Sequence, residues 1–119
     1  MLRAPASANV REAGEAVRVI DIQGEINAEA EETLIDAFTR ASRLPVRVVI
    51  LNFSNLDYMN SSGIGLVVTI LVRAKRQGIG LLACGLNEHY QAIFDLTRLN
   101  EAIQIFADEA QALEASRNL

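Results

Sequence analysis

The fold is decided at the stretch Asp57-Tyr58-Met59-Asn60-Ser61-Ser62-Gly63-Ile64-Gly65, where a strand pattern passes into a helix pattern. Before it, Val46 to Leu51 is an apolar, β-branched run, and after it apolar residues recur at helical spacing as far as Gln77. The start of a helix carries unpaired N–H groups and partial positive charge, so a group that gains negative charge is stabilised there. The two serines therefore suit phosphorylation, although the commoner role of a serine at this point is to cap the helix.

Strand and helix patterns alternate on both sides of this stretch, which predicts an α/β fold in a single domain. The predicted strands are 17–22, ended by Gly24, then 46–51, 79–84 and a short one after a loop within 99–106. The predicted helices are 28–44, closed by Pro45, then 62–77, 87–96 capped by Asn87, and 108–116 capped by Asp108. Right-handed crossovers would make strands 46–51 and 79–84 parallel. Residues 1–14 form a lead that is partly disordered or an irregular first strand, and residues 15–119 form the domain.

The helix 62–77 is apolar on more than one side, so its orientation has to be chosen. Winding it at about 100° per residue directs one set of residues at the sheet: Ile64, Val67, Val68 and Leu71. The opposite set is Leu66, Thr69, Ile70 and Arg73. Because surface helices normally turn charge outward, Leu66 and Ile70 are predicted to form an exposed apolar patch for a partner, or else to pack against a neighbouring helix.

Composition limits the classes of protein to which the chain can belong. Its 119 residues are 50% hydrophobic, which suits one compact domain. The formal charge of −4, with scattered basic residues, argues against nucleic-acid binding. No apolar run is long enough to span a membrane, Met1 to Val10 lacks the apolar centre of a signal peptide, and Cys84 is a lone cysteine. We therefore expect a cytoplasmic domain that binds no membrane.

An enzyme is the rival class, but residues with catalytic chemistry are few. His89 is the only histidine and lies on a predicted surface helix beside Glu88 and Tyr90, without a partner at metal-ligand spacing. The glycines follow the serines instead of flanking one of them, and Gly63-Ile64-Gly65 lacks the remainder of a nucleotide-binding motif. Three carboxylates, Asp21, Glu25 and Asp57, fit solvated turns better than a catalytic group. No catalytic residue, cofactor or metal site is predicted.

Two motifs resemble those of a known family. Asn60-Ser61-Ser62-Gly63-Ile64-Gly65, placed after a strand and opening a helix, is similar to the signature of the STAS family, which includes the anti-anti-sigma factors of bacterial partner-switching systems. Upstream, Gly24-Glu25-Ile26-Asn27 followed by Thr33-Leu34 resembles the turn that leads into the first helix of that family. The resemblance extends from about Val17 to Leu113 and implies a mixed sheet with about four helices, mainly on one face.

The resemblance also implies a function and a set of residues. It implies an anti-sigma factor antagonist that binds a serine kinase acting as an anti-sigma factor, is switched off by phosphorylation of Ser61 and is reset by a serine phosphatase. Ser62 would then cap the helix, and the free domain would be a monomer or weak homodimer. The expected partner-binding residues are Asn27, Asn60, Ser61, Ser62, Gly63, Leu66, Ile70 and Arg73.

The chain departs from the family pattern at two positions. Asn27 and Asn60 stand where the family often has aspartate, so a negative charge is missing at each. Amides keep the capacity to form turns and caps, but any contribution of the carboxylates to phosphorylation is lost. An alternative function is therefore a STAS-like binding or scaffold module, constitutive or attached to a transporter, that has no phosphorylation switch.

Overall fold

The computed structural model describes residues 4–119, so the first three residues of the predicted lead lie outside it. The strands are β1 (Ser7–Gly14), β2 (Val17–Ile26), β3 (Val48–Met59), β4 (Gly80–Cys84) and β5 (Gln104–Phe106). The helices are α1 (Glu31–Ala41), α2 (Ser61–Gln77), α3 (Glu88–Leu96), α4 (Leu99–Ala102) and α5 (Glu109–Ser116), with a 3₁₀ turn at Ala28–Ala30 before α1. The caps predicted at Asn87 and Asp108 are confirmed.

The strands form one mixed sheet in the order β1-β2-β3-β4-β5. β1 is antiparallel to β2, and the other neighbours are parallel, including β3 with β4 as predicted. Since each parallel strand is added on the same side of the last, right-handed crossovers place all the intervening helices on one face. The predicted α/β fold, with a mixed sheet and helices mainly on one face, is confirmed.

Side chains of the central strands alternate between two apolar clusters, one on each face of the sheet. The larger cluster contains apolar residues of α1, α2, α3 and α4, while the smaller one contains Ala112 of α5. The strand residues facing the smaller cluster are Val17, Val19, Val48, Ile50, Leu82 and Cys84. α5 therefore covers the opposite face of the sheet alone.

Two arginines attach α5 to the sheet at its two ends. Arg11 of β1 donates to Glu109 and to Asp21, with 2.5 Å between Arg11 Nε and Asp21 Oδ2. This guanidinium holds the pKa of Asp21 below its usual value. At the other end, Arg47 Nη1 donates over 2.6 Å to the Ser116 carbonyl, which also accepts from the N–H of Leu119 over 3.3 Å.

Both long strands run further than the sequence predicted. Gly24 does not end β2; its φ of 84° is tolerated by glycine, and a Cβ there would lie 2.4 Å from the Pro5 carbonyl oxygen. β3 continues through polar residues to Met59, because its backbone pairs with β2 as far as Ile26↔Met59. The predicted end at Leu51 was wrong, since a polar side chain does not prevent a backbone from completing a ladder.

Two smaller predictions also differ from the structure. The helix predicted over 28–44 ends at Ala41, and Leu44 is 85% exposed instead of joining its apolar face. The segment 99–106 contains the helix α4 as well as the short strand β5. Residues 7–14 form a strand that pairs with β2 and has a register shift between Glu12 and Gly14, which agrees with the irregular first strand that was one of the two alternatives. Within residues 4–119, no helix combines the length and the apolar character needed to cross a bilayer.

Candidate functional site

Two helix starts lie side by side where β2 and β3 end. Ile26 pairs with Met59 in the parallel ladder, and the next residues, Asn27 and Asn60, begin the 3₁₀ turn and α2. The backbone N–H of Asn60 donates to the Ile26 carbonyl over 3.2 Å and holds the two turns together. The carboxyl edge of neighbouring parallel strands therefore brings the two sequence motifs, 24–27 and 60–65, into one site.

Asparagine side chains cap both helix starts. Asn60 Oδ1 accepts from the N–H of Gly63 over 2.9 Å, and Asn27 Oδ1 accepts from the N–H of Glu29 over 2.9 Å. The prediction that Ser62 caps the helix was wrong, because α2 begins at Ser61 and the extended residue before it is Asn60. Asparagine is among the best N-cap residues, so the amides that replace the family's aspartates keep the structural role.

The cap leaves both serine hydroxyls available. Ser61 and Ser62 are the first two residues of α2, and both are exposed. Neither hydroxyl takes part in a hydrogen bond within the described part of the chain. Ser61 thus presents an unbonded hydroxyl at the positive end of a 17-residue helix.

The two glycines after the serines have different surroundings. A Cβ on Gly63 would lie 2.3 Å from the Ile26 carbonyl oxygen and 2.7 Å from Met59 Cγ. A Cβ on Gly65 would have no neighbour within 4 Å. Packing of α2 against β2 therefore requires glycine at Gly63, whereas nothing in the fold requires it at Gly65, where glycine costs about 1 kcal/mol relative to alanine.

The predicted exposed patch on α2 was wrong. Leu66 is 6% exposed and Ile70 is 1% exposed, so both belong to the core, as do Gly63, Val67 and Ala74. The apolar residues that face outward are instead Val68 and Val72, which are 40% and 41% exposed. Ile64 and Leu71 are partly buried against the same core. Because apolar residues surround most of α2, the helical period alone allowed either orientation.

Tyr90, which the sequence placed on a surface helix, is buried and forms a hydrogen bond at the end of β3, next to the site. The backbone N–H of Met59 donates to Tyr90 Oη over 2.8 Å, and Tyr90 is 4% exposed. The bond satisfies a buried donor at the end of β3, one residue before Asn60. Sequence patterns could not find this contact, because it joins β3 to α3 across 31 residues.

Residues considered for catalysis are divided between this site and other parts of the fold. Asp21 pairs with Arg11, and His89 is exposed on α3. Glu25 and Asp57 lie near the ends of β2 and β3, beside the two helix starts. Burial, with nearby carboxylates, raises the pKa of the Cys84 thiol to about 11, which keeps it protonated at neutral pH. The described residues contain no group of histidine, cysteine and acidic side chains arranged to hold a metal ion.

Comparisons with known proteins agree on one fold. A family model described as "STAS domain" matches residues 7–112. The structure of the anti-sigma factor antagonist SpoIIAA in its unphosphorylated form is similar with a TM-score of 0.74 at 21% identity, covering 95% of this chain and 100% of that one. The phosphorylated form of the Bacillus protein has a TM-score of 0.66 at 20% identity, covering 92% and 99%.

Two further structures match over most of the chain. An anti-sigma factor antagonist from Mycobacterium paratuberculosis has a TM-score of 0.77 at 20% identity, covering 95% of each chain. A sulfate transporter family protein from Wolinella succinogenes has a TM-score of 0.78 at 15% identity, covering 90% of this chain and 89% of that one. At these identities the structural likeness establishes the fold.

Proposed function

The chain belongs to the STAS domain family, and we propose that it is an anti-sigma factor antagonist switched by phosphorylation of Ser61. Its partner would be a serine kinase that is also an anti-sigma factor, and phosphorylation would release that kinase. The observation that carries the proposal is the exposed, unbonded hydroxyl of Ser61 beside a helix cap that does not use it.

Phosphate on Ser61 would leave the fold intact. The cap is made by Asn60, so modification of the serine breaks no hydrogen bond of the helix start. The phosphate carries about −1.5 to −2 charge at pH 7 and would meet the positive end of α2, which favours an anion. The similarity of the chain to both the unphosphorylated and phosphorylated forms of SpoIIAA supports a fold that accommodates either state.

The same phosphate would oppose docking. Unmodified, the site presents two small neutral hydroxyls and the bare backbone of Gly65, so a partner can approach α2 closely. After modification, a partner would have to cover and desolvate a doubly charged group. A cost of a few kcal/mol at one contact changes the dissociation constant by two to three orders of magnitude, at about 1.4 kcal/mol per factor of ten.

The proposed contact set follows from exposure. At the adjacent starts of the 3₁₀ turn and α2 it contains Asn27, Asn60, Ser61 and Ser62. Gly63, Leu66 and Ile70 are excluded because they are buried. Arg73 remains a proposed partner contact, but it lies twelve residues beyond Ser61, about 18 Å along the helix axis.

The proposal also includes how the switch is reset and in which form the domain acts. A serine phosphatase would restore the unmodified form, and the free domain would be a cytoplasmic monomer or weak homodimer. The chain would act by binding, with no reaction, nucleic acid, membrane or cofactor of its own.

Intact mass spectrometry after incubation with purified candidate serine kinases and MgATP tests the proposal. We expect the wild type and Ser62→Ala to gain one phosphate and Ser61→Ala to gain none. Isothermal titration calorimetry, with a non-hydrolysable ATP analogue, should then show that the kinase binds the unmodified chain and binds the phosphorylated chain at least about tenfold more weakly. Phosphate on Ser62 in place of Ser61, or equal affinity of the two forms, would contradict the switch.

The alternative function is a binding module without a phosphorylation switch. The structural likeness to a sulfate transporter family protein supports this alternative. Asn27 and Asn60 are consistent with it, because both caps need only an oxygen acceptor and the site lacks the family's carboxylates. A partner that binds the wild type tightly, ignores ATP and never modifies Ser61 would establish this function. If Asn60→Asp then restored phosphorylation, the missing carboxylate would be the cause.

A further inference from the structure

The second half of α2 carries an exposed surface that the serine site does not explain. Val68 and Val72 point outward, Arg76 continues their row by one turn, and Arg73 lies beside it; these four residues are called the outer strip. They line one shallow groove together with Thr69 and Gln77. Adjacent valines on an exposed helix face, one turn apart, have no role in the core of the domain.

The cations of this surface are not paired with carboxylates of the described residues. Arg73, Lys75 and Arg76 are exposed, and none of them forms an ion pair with a residue of the range 4–119. Five of the other described arginines pair with carboxylates, whereas Arg47 donates to backbone carbonyls and Arg43 forms no ion pair within residues 4–119; the five are Arg11, Arg18, Arg40, Arg98 and Arg117. The helix dipole stabilises positive charge at the C-terminal end of a helix. This effect explains Lys75 and Arg76 but does not explain the exposed valines beside them. In a chain of net charge −4, this is a local basic and apolar surface.

The shape of the outer strip fits a helix. Val68, Val72 and Arg76 follow one another at intervals of four residues, so they form a straight ridge along α2. Ridges of this spacing pack into the grooves of another helix. An apolar seam with charged flanks then selects a partner whose flanks carry the opposite charge.

We propose that the outer strip docks an acidic amphipathic helix of a partner protein. Its apolar side chains would cover Val68 and Val72, and its carboxylates would pair with Arg73 and Arg76. Carboxylates of α1 limit its position, because Glu31, Glu32 and Asp36 line the adjacent groove between α1 and α2, with Arg73 on the α2 side of that groove, and they repel an acidic helix. The helix therefore lies over Val68, Val72 and Arg76, outside that groove, and Arg73 is its contact nearest α1.

This surface does not depend on phosphorylation of Ser61, although the two proposals share Arg73. Val72 lies eleven residues beyond Ser61, about 16 Å along the axis, which is twice the screening length of about 8 Å at physiological salt. A bilayer is a poorer occupant, because two valines insert little apolar surface and the net charge of −4 opposes anionic lipids.

Fluorescence anisotropy with synthetic peptides tests the proposal on the full chain. The probe is a helical peptide of three heptads with leucine at the seam positions and glutamate on both flanks. A matched peptide carries lysine in place of glutamate, and vesicles of phosphatidylglycerol form a third arm. The variants are Val72→Asp, Val68→Asp, Ser61→Asp and the double charge reversal Arg73→Glu with Arg76→Glu.

We expect the wild type to bind the acidic peptide at least about tenfold more tightly than the basic one. Each valine variant should lose about tenfold in affinity at unchanged melting temperature, and Ser61→Asp should bind as the wild type does. The double reversal should prefer the basic peptide. The control reversal, Arg98→Glu with Arg117→Glu, changes the net charge equally at residues outside α1 and α2, and should keep the original preference.

Several outcomes would overturn the proposal. Equal binding of the two peptides, or binding of neither, would show that the strip does not select an acidic helix. Binding of vesicles that Val72→Asp abolishes would assign the surface to a membrane, and self-association with the same sensitivity would assign it to a second copy of the chain. No kinase or ATP enters this experiment, so its failure leaves the Ser61 proposal untouched.

Discussion

The two faces of α2 have similar apolar residues and opposite surroundings. The inner face, with Gly63, Leu66 and Ile70, is buried against the sheet, while the outer face, with Gly65, Val68 and Val72, is open. Each face has a glycine in the first two turns and larger apolar residues after it. Residue type alone therefore does not tell which face packs and which face is available to a partner.

Charge and backbone contacts separate the two faces. The inner face continues to Ala74, a small residue with no exposure, whereas the outer face continues to Arg76. A Cβ on the inner glycine would collide with the carbonyl oxygen of Ile26, whereas a Cβ on the outer glycine would have no neighbour within 4 Å. The outer apolar residues are consequently the ones available for binding, and substitutions on the two faces should have separable effects.

The largest expected difference lies between Ile70 and Val68. Ile70→Ala should reduce the free energy of unfolding by about 2–5 kcal/mol, because it removes buried methyl groups and leaves a cavity. Val68→Ala should change it by less than about 0.5 kcal/mol, as expected for an exposed residue. Urea unfolding followed by circular dichroism measures both, and comparable losses in the two variants would show that the faces have been assigned wrongly.

The glycines should respond to alanine with opposite signs. Gly63→Ala should cost about 1–3 kcal/mol, since its Cβ would displace the Ile26 carbonyl and Met59. Gly65→Ala should stabilise the fold by up to about 1 kcal/mol, because alanine is the better helix former and the space is open. Unfolding midpoints decide the sign in each variant.

The Gly65 variant also tests the serine site. If a partner approaches the backbone at Gly65, the Gly65→Ala variant should have a lower affinity for the partner or a lower rate of phosphorylation, although its fold is more stable. A Gly65→Ala protein that gains stability and keeps full partner affinity would remove Gly65 from the contact surface.

The cap at the start of α2 should account for a smaller effect. Asn60→Ala should cost about 1 kcal/mol, because the Gly63 N–H loses its acceptor. Ser62→Ala should be close to neutral, since its hydroxyl makes no hydrogen bond within the described residues. Thermal unfolding of the two variants side by side measures the difference, and a larger loss from Ser62→Ala would restore the serine as the cap.

Adding the missing carboxylate should have the smallest effect on stability. Asn60→Asp keeps the acceptor and places a negative charge at the positive helix end, which favours folding by about 0.3–1 kcal/mol. The gain should be present at pH 7 and disappear as the pH falls through the lowered pKa of the new carboxyl in the folded chain. A gain that is equal at pH 3 and pH 7 would exclude this electrostatic cause.

The sequence by itself determined the alternation of strands and helices, the parallel pairing of β3 with β4 and the position of the serine pair. Such features depend on local properties: β-branched runs, helical period, Asn87 and Asp108 as caps, and glycines after a helix-start serine. The motif containing Ser61 was recognisable for the same reason, because its residues are adjacent in the chain. Strand lengths were underestimated where polar residues of β3 pair through their backbone.

Only the tertiary structure decided the orientation of α2, the cap at Asn60 and the buried bond from Met59 to Tyr90. A helix that is apolar on most sides has several orientations of similar local energy, and contacts with the sheet select one of them. Asn60 caps α2 because β3 extends to Met59, so the position of the cap depends on the pairing of distant strands. These features result from contacts between residues far apart in sequence, which no local pattern records.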